Sequence, residues 1–403
     1  MSIDVVIAGA GPAGSIAALV LARAGVRVRL LDRARFPREK LCGDTLNPGA
    51  LALLDQFGIG DDVRARALPI TGMTVTGPGG ASVSADYPAS LCGASISRKD
   101  LDLLLVAAAT AAGASLDQEV RVHEPLWSTD QRSCVIGVRT MFRQRESCLH
   151  ARVVIAADGR ASRLGAAVGV SRLARAPRRW AFGAYFTGVA GQSRRGEMHV
   201  RRGGYIGVAP LPCGVTNVCV VRSAAWLAAR GDRRGRTHPD SIVTDAVASD
   251  PLLRDRFVGA RQVSSVTTLG PLAVDADGVG CAGMLLAGDA AGFIDPMTGD
   301  GLRFAIRGGV LAAYAALHEL ETGKPAYRVL KQARAREFSG KWRVNRSLRA
   351  LVGWPAGVTL AARVSEVWDT PIRYLVGVAG DVAIAVDATA MSDGGRGSER
   401  SHL

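Results

Sequence analysis

The sequence predicts an α/β protein: a domain built on a parallel sheet, interrupted in sequence by a β-sheet domain and followed by a helical segment. Three observations predict it. The first 32 residues read as strand, glycine-rich turn, helix and strand. Two stretches, about 70–97 and 178–268, alternate apolar and polar residues at strand spacing, and from about 302 to 385 apolar residues recur at helical spacing. A chain of 403 residues with 48% hydrophobic content can bury more than one core.

Residues 3–8, Ile-Asp-Val-Val-Ile-Ala, read as a buried parallel strand, and 15–24 as a helix rich in Ala and Leu. Between them lies Gly9-Ala10-Gly11-Pro12-Ala13-Gly14. Gly9 permits a tight turn, Gly11 lets the backbone approach a pyrophosphate, and Gly14 lets helix pack on strand, while the helix N-terminus offers unpaired N–H groups to phosphate. A second strand, 26–31, ends in Asp32, whose carboxylate is placed to accept hydrogen bonds from a ribose; Arg33 follows and joins the cofactor-binding candidates. This is the unit of a Rossmann-type dinucleotide-binding domain. The same glycine pattern at Gly278-Val279-Gly280-Cys281-Ala282-Gly283 precedes a strand and opens no helix, so it is no second site. The run 5–22 carries no charge, but Gly9, Gly11, Pro12 and Gly14 interrupt it and Asp4 precedes it, unlike a membrane anchor or secretory signal.

Lys and Arg number 50 against 36 Asp and Glu, a net charge of +14, and only five of the 50 are lysines. The arginines are dispersed, which speaks against a nucleic-acid partner and for an anionic cofactor or membrane surface. Seven cysteines, an odd number with no C-x-x-C pair, argue against a disulfide framework or zinc ribbon and suit a reducing cytoplasm. The six histidines show no metal-ligand spacing, so no metal is expected.

Four further segments carry chemistry. In 153–163 an apolar strand ends in Asp158-Gly159, followed by Ser162. In 284–301 a strand delivers Gly288-Asp289 and then a loop with Gly292, Pro296, Gly299 and Gly301 that opens a long helix. Ser97-Arg98-Lys99-Asp100 caps another helix, and 36–48 contains Lys40-Leu41-Cys42-Gly43-Asp44. With the opening unit, these segments resemble the FAD-dependent oxidoreductases related to para-hydroxybenzoate hydroxylase, over most of residues 1–320. The resemblance implies a glutathione reductase-like FAD-binding domain in which Asp289 holds the ribityl chain, Arg98 approaches the cofactor, Asp158 lies between two nucleotide sites, and the helix from Gly301 aims its positive end at the flavin. With no second glycine-loop unit, NAD(P)H is expected to dock only transiently as electron donor.

Within that superfamily, the Lys40-x-Cys42-Gly43 stretch and Gly292 to Gly299 look like the geranylgeranyl reductase-like branch, whereas aromatic hydroxylases usually carry His at position 292 and Gln at position 300. Tryptophan halogenases carry two tryptophans where this chain has Tyr205 and Gly207, so halogenation is not expected. The first reading is therefore reduction of a carbon–carbon double bond in an isoprenoid or other lipophilic small molecule by hydride from reduced FAD. The second is a monooxygenase that hydroxylates or epoxidises an aromatic or alkene through a flavin hydroperoxide. Cys42 is the candidate active-site residue, as proton donor or as packing; Arg201 and Tyr205 are candidates to orient a polar substrate group. The expected organisation is an FAD-binding domain of 1–69, 98–177 and 269–330, a substrate domain of 70–97 and 178–268, C-terminal helices over 331–386, and a disordered tail from 387 to 403. The helices, with Trp342, Leu348, Leu351, Trp354, Val364 and Trp368, read as packing helices or as a basic amphipathic surface that rests on a membrane. Localisation is expected to be cytoplasmic, with or without peripheral membrane contact.

Overall fold

Val5, Val6, Ile7 and Ala8 are completely buried, because Ile3–Ala8 is the middle strand of a parallel sheet covered on both faces. The computed structural model describes residues 3–78, 81–129, 134–176, 178–230, 238–293, 299–352, 377 and 380–382. The parallel core runs in the order Met284–Leu286, Arg145–Ala156, Ile3–Ala8, Val28–Leu31 and Ser115–Asp117. On one face Val5 and Ile7 meet three helices, Pro12–Arg23, Arg98–Ala111 and Gly301–Thr322. On the other, Val6 and Ala8 meet Val135, Val138 and Trp127 of an antiparallel meander, Arg121–Trp127, Val135–Phe142 and the first half of Arg145–Ala156. The period-two alternation of side chains thus sorts one strand between two layers.

The first helix begins at Pro12, three residues earlier than its apolar pattern suggests. Proline has no N–H to lose and a helical φ already set, so the second half of the glycine loop is itself the first helical turn. The second strand is correspondingly shorter than expected, Val28–Leu31. Gly280–Cys281 forms a hairpin with Met284–Leu286 and opens no helix.

Residues 72–76 and 82–86 join the stretch after 178 in a second, largely antiparallel sheet. Arg179–Thr187 pairs with Val215–Ser223, which pairs with Gly204–Pro210, then Arg195–Arg201, and Gly72–Thr76 lies parallel to that last strand. Helix Pro239–Ala248 covers the face carrying Phe182, Ile206, Val208 and Val220. The opposite face, with Ala181, Tyr205 and Val221, turns toward the first domain. Gly93–Ser95 departs from this sheet: it lies between Thr45–Leu46 and Leu68–Ile70 in a small sheet of its own, so the 70–97 stretch is divided between two sheets.

Gly323, in the left-handed conformation with φ +68°, ends the long helix Gly301–Thr322. Tyr327–Val352 then packs back on it through Leu330 and Phe338, whose burial contributes about 1.5–3 kcal/mol each. The ring of Phe338 meets Phe304 edge-on at 5.0 Å. Trp342 falls within this helix, whereas Trp354, Val364, Trp368 and the stretch 387–403 lie outside the described residues. Among the described residues no helix is long and apolar enough to cross a membrane.

The first helix and Gly301–Thr322 touch at Gly309, where an added Cβ would stand 2.3 Å from the carbonyl oxygen of Ala13. Gly309→Ala is expected to force the two helices apart and to cost about 1–3 kcal/mol. Gly340→Ala, in an exposed helical turn with open space around it, is expected to add about 0.5–1 kcal/mol. Thermal unfolding of both variants checks the contrast.

Candidate active site

A cavity of about 200 Å³ lies where the two sheets face each other. The first domain lines it with Gly11, Pro12 and Ala13, with Lys40 to Gly43, Thr45 and Arg98, and with Gly159, Arg160, Gly288, Asp289, Gly299 and Gly301. The second sheet contributes Met73, Ala181, Met198, Tyr205, Asn217 and Leu269, and the chain that follows it adds Leu272.

The glycine loop fits a pyrophosphate by its spaces as well as its donors. Gly9 has φ +99° and would place a Cβ 2.3 Å from the Ala157 oxygen; a Cβ on Gly14 would lie 1.8 Å from the Gly9 oxygen. Both glycines are required by backbone packing. Gly11 differs: nothing stands closer than Arg38 Nη2, at 3.6 Å, so the space beside it is open groove. The helix N-terminus there has no side-chain cap, leaving first-turn N–H groups and the positive end of the dipole for an anion.

Asp32 is buried and holds the loop in place. Its Oδ2 accepts from the Ala10 N–H and its Oδ1 from the Ala34 N–H, both at 2.8 Å. A carboxylate has further lone pairs for ribose hydroxyls. Arg33 is exposed and lies outside the lining of this cavity, as does Asp32 itself. The cation beside Asp32 is Arg38, 3.8 Å from Asp32 and 3.0 Å from Asp102.

Ser97 caps its helix as expected, accepting from the Asp100 N–H at 3.1 Å. The next residue, Arg98, is buried and forks onto Asp102 with two bonds of 2.9 Å. Burial opposes its charge, but Asp102 and then Cys42 outweigh that and hold its pKa raised. Asp158 accepts from Arg163 N–H at 2.9 Å and Leu164 N–H at 3.4 Å, while its other oxygen is buried with no partner and burial raises its pKa. It does not itself line the cavity; its neighbours Ala157, Gly159 and Arg160 do.

Gly288, at φ +61°, turns the chain so that Asp289 reaches the cavity wall, where it faces the charges of Lys40 and Arg160. Gly299, at φ +68°, and Gly301 leave the start of the long helix open to the cavity; Pro296 lies outside the described residues. Tyr205 is buried against the cavity. Arg201 is not: it pairs with Asp250 at 2.6 Å and donates to the Thr76 and Gly77 carbonyls. Strand alternation explains the correction, since Val200 pairs with Tyr205 on the cavity face and Arg201 therefore takes the other.

Cys42 lines the cavity, and burial raises its thiol pKa. Behind it stands a residue that the sequence did not single out. Asp44 is fully buried; its Oδ1 accepts from the Arg98 N–H at 3.1 Å, and its Oδ2 accepts from the Tyr185 hydroxyl at 2.8 Å and from Asn217 Nδ2. Tyr185 and Asn217 sit opposite one another on adjacent strands of the second sheet, so this carboxylate ties the two domains together. Burial pushes its pKa up to about 6.

A Rossmann-type sheet that opens a helix N-terminus into a groove shared with a second sheet defines a two-domain dinucleotide-dependent enzyme. Residues 2–346 match the family described as FAD binding domain, and the chain belongs to that family. A menaquinone reductase of Mycobacterium tuberculosis is 30% identical over 387 residues, 88% of this chain and 85% of that protein. A geranylgeranyl diphosphate reductase of Rhodobacter capsulatus is 30% identical over 83% of this chain and 80% of its own. Among solved structures, a geranylgeranyl bacteriochlorophyll reductase-like protein of Thermoplasma acidophilum superposes with a TM-score of 0.77 at 21% identity, over 96% of both chains. A flavin-dependent brominase does so at 0.81 and 19%, over 98% of this chain and 99% of that one; these two likenesses show the fold. The protein is an FAD-dependent oxidoreductase, of a family in which NAD(P)H is the typical electron donor.

Gly11→Ala is expected to fold with stability within about 1 kcal/mol of wild type, yet to bind FAD at least about tenfold more weakly, because its Cβ enters the groove. Gly9→Ala is expected not to fold. Titration of flavin fluorescence, with circular dichroism for folding, separates the two. For Asp44, the folded-state pKa of about 6 stands above the unfolded value of about 4, so its contribution is fully present below pH ~4 and is lost as pH rises through ~6. Relative to Asp44→Asn, wild type is expected to lose about 3 kcal/mol of stability across that window, measured by urea unfolding.

Proposed function

We propose that the protein uses NAD(P)H, through FAD, to reduce a carbon–carbon double bond of an isoprenoid or similarly lipophilic molecule. The observation that carries this reading is the two-sided character of the cavity. Its cofactor side holds the glycine loops and the charges of Lys40, Arg98, Arg160 and Asp289, whereas its far side is Met73, Ala181, Met198, Leu269, Leu272 and Phe293. Burying an isoprenoid chain on that wall yields about 25 cal/mol per Å² and expels water from the reacting carbons.

Bound FAD supplies the two electrons that the nicotinamide delivers. The chain supplies the proton and the geometry. Cys42 stands at the seam between the charged and apolar halves and keeps its proton because burial disfavours the thiolate. It donates that proton at Sγ, and the nearby positive charge of Arg98 offsets the charge left behind. Glu197 and Asp289 are the carboxylates among the cavity-lining residues, and Glu197 is held by Arg256 at 2.7 and 3.0 Å and by His199 at 3.0 Å. Among the described residues Glu197 is thus already paired and is not free to deprotonate a phenol, as aromatic hydroxylation requires. The relatives named for menaquinone, geranylgeranyl diphosphate and digeranylgeranylglycerophospholipid reduction support the same substrate class.

The test is anaerobic mixing of the reduced holoenzyme with menaquinone or geranylgeranyl diphosphate. The expected outcome is flavin reoxidation without oxygen and a product two hydrogens heavier by mass spectrometry, with Cys42→Ala slower by about 100-fold. Reoxidation only in oxygenated buffer, through a spectral transient and with an oxygen atom in the product, would instead establish the monooxygenase reading.

A further inference from the structure

Helix Tyr327–Val352 meets both described ends of the loop that presents Asp289 and opens the long helix, 288–293 and 299–301. At one end Arg334 Nη2 donates to the Ala291 carbonyl at 3.1 Å, and a Cβ on Gly292 would stand 3.7 Å from the Trp342 ring. At the other, Lys341 Nζ lies 2.7 Å from the carboxylate of Asp300, the residue before Gly301. Seven residues separate Arg334 from Lys341, so they lie two turns apart on one face, with the buried Phe338 between them. The two cations differ in how their charge is met. Lys341 pairs with Asp300 and Asp381, Arg303 with Asp381 and Glu337 at 2.8 Å each, and Arg307 with Glu337 at 3.1 Å, so these three cations are matched by three carboxylates. Arg334 is equally buried, yet among the described residues no carboxylate pairs with it; it has the Ala291 carbonyl and the Phe338 ring, 5.1 Å from its guanidinium carbon. Burial pulls its pKa down to about 10, which leaves it charged at neutral pH. A Cβ on Gly308 would stand 3.1 Å from Arg334 Nη1 and 3.5 Å from the Gly288 nitrogen, so the guanidinium sits beside the turn that carries Asp289 to the cavity.

A buried charge without a counter-ion costs stability, because it gives up hydration and gains no ion pair. An anion bound nearby offsets that cost. FAD is such an anion, and its ring gains negative charge on reduction. We propose that Arg334 is a positioning residue with two effects: through the Ala291 carbonyl it holds the turn that presents Asp289, and through its unmatched charge it favours reduced over oxidised FAD. Lys341 holds the other end of the loop through Asp300, with its charge already met. An arginine suits the first position, since a guanidinium keeps its proton where a buried ammonium gives it up. The inference requires FAD and no particular substrate.

The experiment measures two quantities: the affinity for oxidised FAD, by fluorescence titration, and the two-electron midpoint potential of the FAD-loaded protein, by equilibration with reference dyes. A tenfold loss of preference for reduced FAD lowers that potential by about 30 mV. Arg334→Gln keeps a donor for Ala291 and removes the charge; it is expected to bind oxidised FAD within about threefold of wild type and to lose about tenfold in preference for the reduced form. Arg334→Met removes both, and is expected in addition to bind oxidised FAD about tenfold more weakly. Phe338→Leu loosens the same helix without touching the charge and is expected to leave the potential unchanged. Arg334→Lys supplies a readout that stands even if the Gln and Met variants fail to fold: its potential is expected to match wild type at pH ~6 and to fall below it by the full amount at pH ~9, as the buried ammonium loses its proton. An unchanged potential in Arg334→Gln, or one that tracks wild type at every pH in Arg334→Lys, would overturn the proposal. An equal fall in Phe338→Leu would do the same, by assigning the effect to packing.

Discussion

The close approach of backbones at the C-terminal ends of the parallel strands is the constraint on which the rest depends. Ala8 and Ala157 are joined by a backbone hydrogen bond of 2.8 Å, and Gly9 is joined to Leu31 by one of 2.7 Å. At that junction any side chain on Gly9 or Gly14 would collide with carbonyl groups, and Gly309 lets the long helix close over Ala13. The contact brings two helix N-termini, at Pro12 and Gly301, to one groove, each without a side-chain cap. Their partial positive charges and the neighbouring arginines explain how a strongly basic chain holds an anionic dinucleotide without any basic cluster in its sequence.

The second sheet completes the site. Its inner face brings apolar side chains to a cavity whose other wall is polar, and Asp44 is where the two walls are tied. A buried carboxylate satisfied from both sides is costly to leave half-bonded, so docking of the sheet and the satisfaction of Asp44 become one event. This explains why an ionisable group occupies an otherwise apolar seam.

The sequence made the local units legible and left the assembly hidden. The glycine turn, the Asp32 that follows it, the Ser97 cap and the Gly288-Asp289 loop are written in contiguous residues with distinct backbone needs. The helix start at Pro12 was misread because the apolar pattern begins later than the backbone does. That Arg38 returns to Asp32 depends on the path of the following loop, which the sequence does not disclose. Arg201 was misjudged because only strand register tells which face a residue takes. Asp44 stands beside Cys42 in sequence, but its meaning comes from Tyr185 and Asn217, far along the chain and brought together by one strand pairing.

The most direct test of the account is a structure of the protein with FAD bound, measuring the separation between Cys42 Sγ and the nearest atom of the flavin ring system. The account expects van der Waals contact, about 4 Å, with the apolar wall of Met198 and Leu272 facing the same side of the ring. A flavin ring lying away from Cys42, with the thiol packed behind protein atoms, would contradict it and return Cys42 to the role of a small buried side chain.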